Sequence, residues 1–167
     1  MKKMLHMLAA LIVLTAACFA QAQDNRGFYL GAAYVVTIND DCSFCDTSGI
    51  GFEAGYDINN LLSVEVRKAE NEYDDFSADL SLTYFGINVG HNFNTEWFRL
   101  YTKIGYIDAE ASEDGYSESD SDTALGIGVR FSPQGGQKGL QLKVETLRSE
   151  LWGSYDTTVY AGVAYKF

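Results

Sequence analysis

One proline, two histidines and three cysteines in 167 residues are scarce enough to exclude several kinds of protein. With Pro133 as the only proline, the rest of the chain is free to donate every backbone N–H to a ladder. His6 lies in the N-terminal apolar run, so His91 is the one imidazole of residues 23–167. Hydrolases that need a base titrating near neutrality therefore lack their usual partner set, and the chain is expected not to be an enzyme. Bases are also few, 12 Lys and Arg against 23 Asp and Glu, and a formal net charge of −11 offers no basic surface to a nucleic acid. No apolar stretch after Leu14 is long enough to cross a bilayer as a helix.

The apolar run that does exist is N-terminal. Lys2 and Lys3 precede Met4–Leu14, and Ala20-x-Ala22 fits a small-residue cleavage site, so residues 1–22 read as a secretory signal peptide and 23–167 as one domain. Cys18 leaves with the leader. Cys42 and Cys45 remain, an even pair expected to form a disulfide in an oxidising compartment. A metal site formed by these cysteines with Asp40, Asp41 and Asp46 lacks a second ligand pair, and neither metal nor cofactor is expected.

What the chain has in quantity is glycine and aromatics, 16 Gly with 11 Tyr and 10 Phe, arranged with a period of two. Eight segments alternate: near 27–38, 48–58, 61–69 and 79–92, then Phe98–Tyr106, Leu125–Phe131, Leu140–Thr146 and the terminal Val159–Phe167. One parity is apolar, as in Phe28, Leu30, Ala32 and Tyr34 or Leu125, Ile127, Val129 and Phe131. The fourth segment breaks phase, because Leu80, Leu82 and Tyr84 oppose Phe85, Ile87 and Val89; this implies a bulge or an upper part beyond the apolar zone.

The opposite parity holds charges of both signs and glycines: Glu53, Glu65, Arg67, Arg99, Lys103, Arg130, Lys143, Glu145 and Lys166 among Gly49, Gly51, Gly55, Gly126 and Gly128. A water-soluble barrel would expose this face. Its mixed signs and missing side chains instead suit a narrow lumen filled by ion pairs, with the apolar face toward lipid and no open edge. The expected fold is an all-β, eight-stranded antiparallel up-and-down transmembrane barrel in a bacterial outer membrane, its interior plugged rather than open.

Orientation follows from the connections. Residues 58–61, 92–95 and 132–137 read as short periplasmic turns, and 39–48, 69–79, 108–122 and 149–156 as long extracellular loops, which places both termini in the periplasm. Those four windows hold 17 of the 23 acids and not one Lys or Arg, so the outer end is anionic. Lys68 and Arg148 at its rim are candidate contacts for lipopolysaccharide phosphates, with divalent ions a second bridge from the acidic loops. Phe44, Tyr73, Phe76, Tyr116 and Trp152 would supply exposed rings for an extracellular partner.

The stretches YFGINVGHNF, FRLYTKIGY, DTALGIGVRF, LQLKVE and VYAGVAYKF resemble the small eight-stranded outer-membrane barrels of the OmpA transmembrane-domain and OmpX/Ail type. The resemblance implies that Val163, Tyr165 and Phe167 form the signal read by the barrel-assembly machinery. It leaves two roles open, a structural envelope barrel or an adhesin or receptor-type binding barrel, with a lipid-modifying barrel enzyme as a further alternative.

Overall fold

The computed structural model describes residues 26–40, 42, 45–73, 78–92, 97–113, 116–136 and 138–167. Residues 1–22, expected to be a signal peptide, and Phe44 and Phe76 lie outside the described residues. Eight strands follow one another: β1 (Gly27–Asn39), β2 (Thr47–Asp57), β3 (Leu62–Tyr73), β4 (Asp79–Asn92), β5 (Phe98–Glu113), β6 (Tyr116–Phe131), β7 (Gly139–Leu151) and β8 (Ser154–Lys166). Each pairs antiparallel with the next, and β1 closes on β8 from Tyr29↔Lys166 to Asn39↔Asp156.

The alternation sets the faces. Phe52 is 69% exposed, Phe85 62% and Ile127 57%, whereas Glu65, on the opposite parity, is 2% exposed. An apolar wall of this kind is stable only against a non-aqueous phase, since burying one such side chain is worth about 1.5–3 kcal/mol. The band is thick enough to span: nine residues separate and include Phe98 and Tyr106 on β5, and tilted membrane strands need roughly 9–11. Aromatics crowd the end that carries the termini. Phe28 stacks on Phe167 at 6.3 Å between centroids, and Trp97 meets Phe131 edge-on at 5.2 Å.

Three features of the sequence reading need correction. Of the two readings of the fourth segment, the bulge is excluded, because β4 keeps an unbroken register with β3 from Leu62↔Val89 to Glu72↔Asp79, and an upper part beyond the apolar zone fits. Leu80, Leu82 and Tyr84 simply face inward, where they join Val35, Ile107, Leu147, Leu151 and Tyr160 in an apolar core. The long acidic loops are mostly strand: β5 continues to Glu113 and β6 begins at Tyr116, so the described residues of window 108–122 form a two-stranded ribbon. Window 149–156 is a tight hairpin turned by Trp152 (φ 50°) and Gly153 (φ 76°), positive angles matched to the twist of the flanking strands. Connection length therefore does not distinguish the two ends. Strand extension does.

Candidate functional site

The lower interior holds the ionic residues in a ring. Arg67 on β3 reaches Glu53 Oε2 at 2.5 Å, Glu145 Oε2 at 2.6 Å and Glu65 Oε1 at 3.1 Å. Lys103 on β5 bridges Glu65 Oε1 at 2.5 Å and Glu145 Oε2 at 2.6 Å. Lys143 on β7 contacts Glu53 Oε1 at 2.8 Å, Glu65 Oε2 at 3.0 Å and Glu145 Oε1 at 3.4 Å. The period of two turns these side chains inward, and the register brings them from four strands to one level: Glu53 faces Arg67 across β2–β3, and Glu145 faces Tyr160 across β7–β8.

Neutral groups complete the ring. Tyr29 Oη donates to Glu65 Oε2 at 3.0 Å, Asn88 Nδ2 to the same oxygen at 3.2 Å, and Tyr101 Oη donates to Glu145 Oε1. The Arg67 guanidinium lies 4.0 Å from the centre of the Tyr160 ring, and Lys103 Nζ 5.0 Å from that of Tyr84. Glycines admit these rings: a Cβ at Gly105 would stand 2.6 Å from the Tyr84 ring, so nothing larger fits without a shift.

Oxygens of Glu53, Glu65 and Glu145 lie within 4.8 Å of one another, close enough to hold a metal ion. Arg67, Lys103 and Lys143 already supply three positive charges to these three carboxylates, so the cluster is neutral as built. Chemically it fills the lower interior with paired charge. An eight-stranded barrel has an interior about wide enough for side chains to fill.

A second group lies nearer the termini. Asp57 takes Arg99 at 3.4 Å and Arg130 at 3.1 Å on Oδ1, and Lys166 at 2.7 Å on Oδ2. Asp57 is absent from the ion pairs expected from sequence, although its spacing of four from Glu53 puts it on the same strand face. Tyr29, which alternates with Phe28 and Leu30, was readable in the same way.

The remaining expected sites fall on the outer surface. Val163, Tyr165 and Phe167 point outward, with Phe167 N donating to Phe28 O at 3.0 Å. Cys42 and Cys45 are joined by a disulfide. Lys68 pairs with Glu70 at 2.6 Å, and Arg148 with Asp40 at 2.6 Å beneath the Tyr155 ring. Of the loop aromatics within the described residues, Tyr73 packs against the upper core, while Tyr116 and Trp152 are exposed. His91 is exposed at the lower end of β4.

Above the apolar band the outer wall carries acids in cross-strand rows, Glu70 and Glu110 flanking Ser81, and Glu72 directly opposite Asp79. Here one seam stops early. β6 pairs with β7 only from Phe131↔Leu142 to Leu125↔Arg148, so residues 116–124 pair with β5 alone. Across the gap, Asp122 Oδ2 accepts from Glu150 N at 2.9 Å and Asp120 Oδ2 from Trp152 N at 2.5 Å. These two side chains stand where backbone carbonyls would otherwise continue the ladder.

The outer membrane protein beta-barrel domain family model matches residues 7–167. Among solved structures, the Yersinia pestis attachment invasion locus protein Ail is 21% identical, with a TM-score of 0.56 over 85% of this chain and 97% of its own. The N-terminal β-barrel domain of Pseudomonas aeruginosa OprF is 13% identical, with a TM-score of 0.62 over 88% and 100%. Neisserial surface protein A is 18% identical, with a TM-score of 0.60 over 86% and 98%. At these identities the likeness concerns the fold. No curated protein sequence matches the chain.

Proposed function

Since the chain belongs to the outer membrane protein beta-barrel domain family, we propose that this barrel presents its acidic, strand-built end outside the cell as an adhesin or receptor-type binding surface for a cationic partner. The observation that carries this reading is the upper end of β6, which is not laddered to β7. Residues 116–124 ladder with β5 alone, Asp120 and Asp122 reach the amides of Trp152 and Glu150 across the gap, and Glu118, Asp120 and Asp122 line that edge with no base among them. An exposed edge is a template for an added strand, and its charge selects basic segments. Tyr116, 73% exposed at the ribbon's end, adds an aromatic anchor.

In this reading the termini face the periplasm, the interior ion pairs plug the lumen, and Val163, Tyr165 and Phe167 serve the assembly machinery during insertion. Lys68 and Arg148 contact lipopolysaccharide phosphates where outer-leaflet headgroups displace Glu70 and Asp40 from them. Ail has been solved in complex with the heparin analogue sucrose octasulfate. A polyanion of that kind is repelled by the rim described here, so the partner class proposed for this chain has the opposite charge.

The test is binding of a labelled oligolysine peptide to cells displaying the barrel. Neutralising the edge (Glu118→Gln, Asp120→Asn, Asp122→Asn) should abolish binding, whereas neutralising Glu70, Glu72 and Asp79 on the paired wall should leave most of it. Equal binding by the two variants would remove the edge from the account.

A further inference from the structure

The interior charges do not balance along the axis. Around Glu53, Glu65 and Glu145 three cations meet three carboxylates, but toward the termini Asp57 is, among the described residues, the one carboxylate facing Arg99, Arg130 and Lys166. Both oxygens of Asp57 are in use. Arg99 and Arg130 lie directly opposite each other in the β5–β6 register and share Oδ1, and Arg130 lies opposite Lys143 in the β6–β7 register, so three bases form one continuous inward row. Like charges directly across a ladder repel, and buried charges without counter-charge are costly.

Polar groups at the same level are left without partners. Arg99 Nε and Nη2 make no hydrogen bond, nor does either amide atom of Gln141, a residue only 1% exposed. Gln141 occupies the inward position between Lys143, cross-strand from Arg130, and Gly139, cross-strand from Lys166. Unpaired donors, two guanidiniums that share one carboxylate oxygen and a buried amide therefore occupy adjacent rows of one inner surface.

We propose that this lower interior surface binds a small inorganic oxyanion of the phosphate or sulfate class, held by Arg99 and Arg130 with Gln141 Nε2 as a further donor. Planar guanidiniums bind oxyanions through paired N–H groups, and the site draws on donors the fold otherwise leaves idle. A halide would neutralise charge but could not engage both forks and the amide together.

The experiment uses the full chain refolded in a neutral, phosphate-free detergent, with the heat-unfolding midpoint followed by gel mobility and circular dichroism. Sodium phosphate should raise the midpoint along a saturating curve, on the order of a few degrees, and sodium chloride at matched ionic strength should not. Gln141→Glu places a carboxylate on this inner surface; it should raise the midpoint without phosphate and remove the phosphate response. Arg99→Gln should remove the response as well. A wild-type midpoint that tracks ionic strength alone overturns the proposal whether or not the variants fold, and so does a Gln141→Glu barrel that responds to phosphate as the wild type does.

Discussion

Arg67 and Tyr84 face each other across the β3–β4 ladder, and at their row both faces of the β3–β5 wall change polarity. Below it the inside is ionic and the outside apolar; above it the inside packs Leu80, Leu82, Ile107 and Leu147, and the outside carries Lys68, Glu70, Asp108 and Glu110. The lower half is built for lipid. The upper half is a water-facing barrel with an ordinary core, raised on the same strands.

Removing Glu145 takes a partner from four groups, Arg67, Lys103, Lys143 and Tyr101, inside the wall and leaves three cations on two carboxylates. Glu145→Ala should therefore destabilise the barrel by about 3–5 kcal/mol, read as a lower temperature for loss of the compact gel band. Glu145→Gln, which keeps the volume and one acceptor, should lose less. Unchanged heat resistance in Glu145→Ala would mean the ring is not structural.

The room left by glycine for Tyr84 is testable by filling it. Gly105→Val places a branched side chain where the ring lies, and overpacking of this kind should cost about 1–3 kcal/mol. The paired change Gly105→Val with Tyr84→Ala should recover part of that loss. If the two losses simply add, the ring and the glycine are not coupled.

At the upper rim, Asp156 accepts from Asn39 Nδ2 at 3.0 Å while burial, assisted by the nearby Asp40 charge, raises its pKa to about 6. Between the ordinary aspartate range and about 6, the folded chain holds a proton that the unfolded chain has lost, so stability falls as pH rises through that window and is flat above it. The unfolding midpoint should drop between pH 4.5 and 6.5, and Asp156→Asn should flatten this part of the profile. The same slope in the variant would point to another group.

Asp120 has its pKa lowered by the backbone N–H groups of Trp152 and Ser121, and Asp122 holds the amide of Glu150. Replacing both aspartates by Ala should release the β7–β8 tip from β6, with faster hydrogen exchange at the Trp152 and Glu150 amides and little change at Val144, deep in the ladder. Protection unchanged at all three amides would show that the staples do not hold the seam.

The strand count, the inward ionic set and the outward apolar set were legible because lipid and lumen impose a strict period of two on short segments. Where that pressure ends, legibility ends with it. Tyr116–Thr123, rich in Ser and Asp, has weak strand propensity and no apolar face, yet its pairing with β5 draws it into a ribbon. Leu80–Tyr84 looked out of phase because the sequence records two solvents along one strand. Asp57 was readable on the inner face, but its partners Arg99, Arg130 and Lys166 come from three other strands, and only closure of the barrel brings them together.

The reversal of polarity along one strand is tested most directly by spin labels placed singly at Ser81, Leu82 and Phe85 of β4 in reconstituted membranes, with accessibility to oxygen and to a water-soluble nickel complex measured at each. The account predicts oxygen access at Phe85, nickel access at Ser81 and protection from both at Leu82. Nickel access at Phe85, or oxygen access at Leu82 matching that at Phe85, would contradict it.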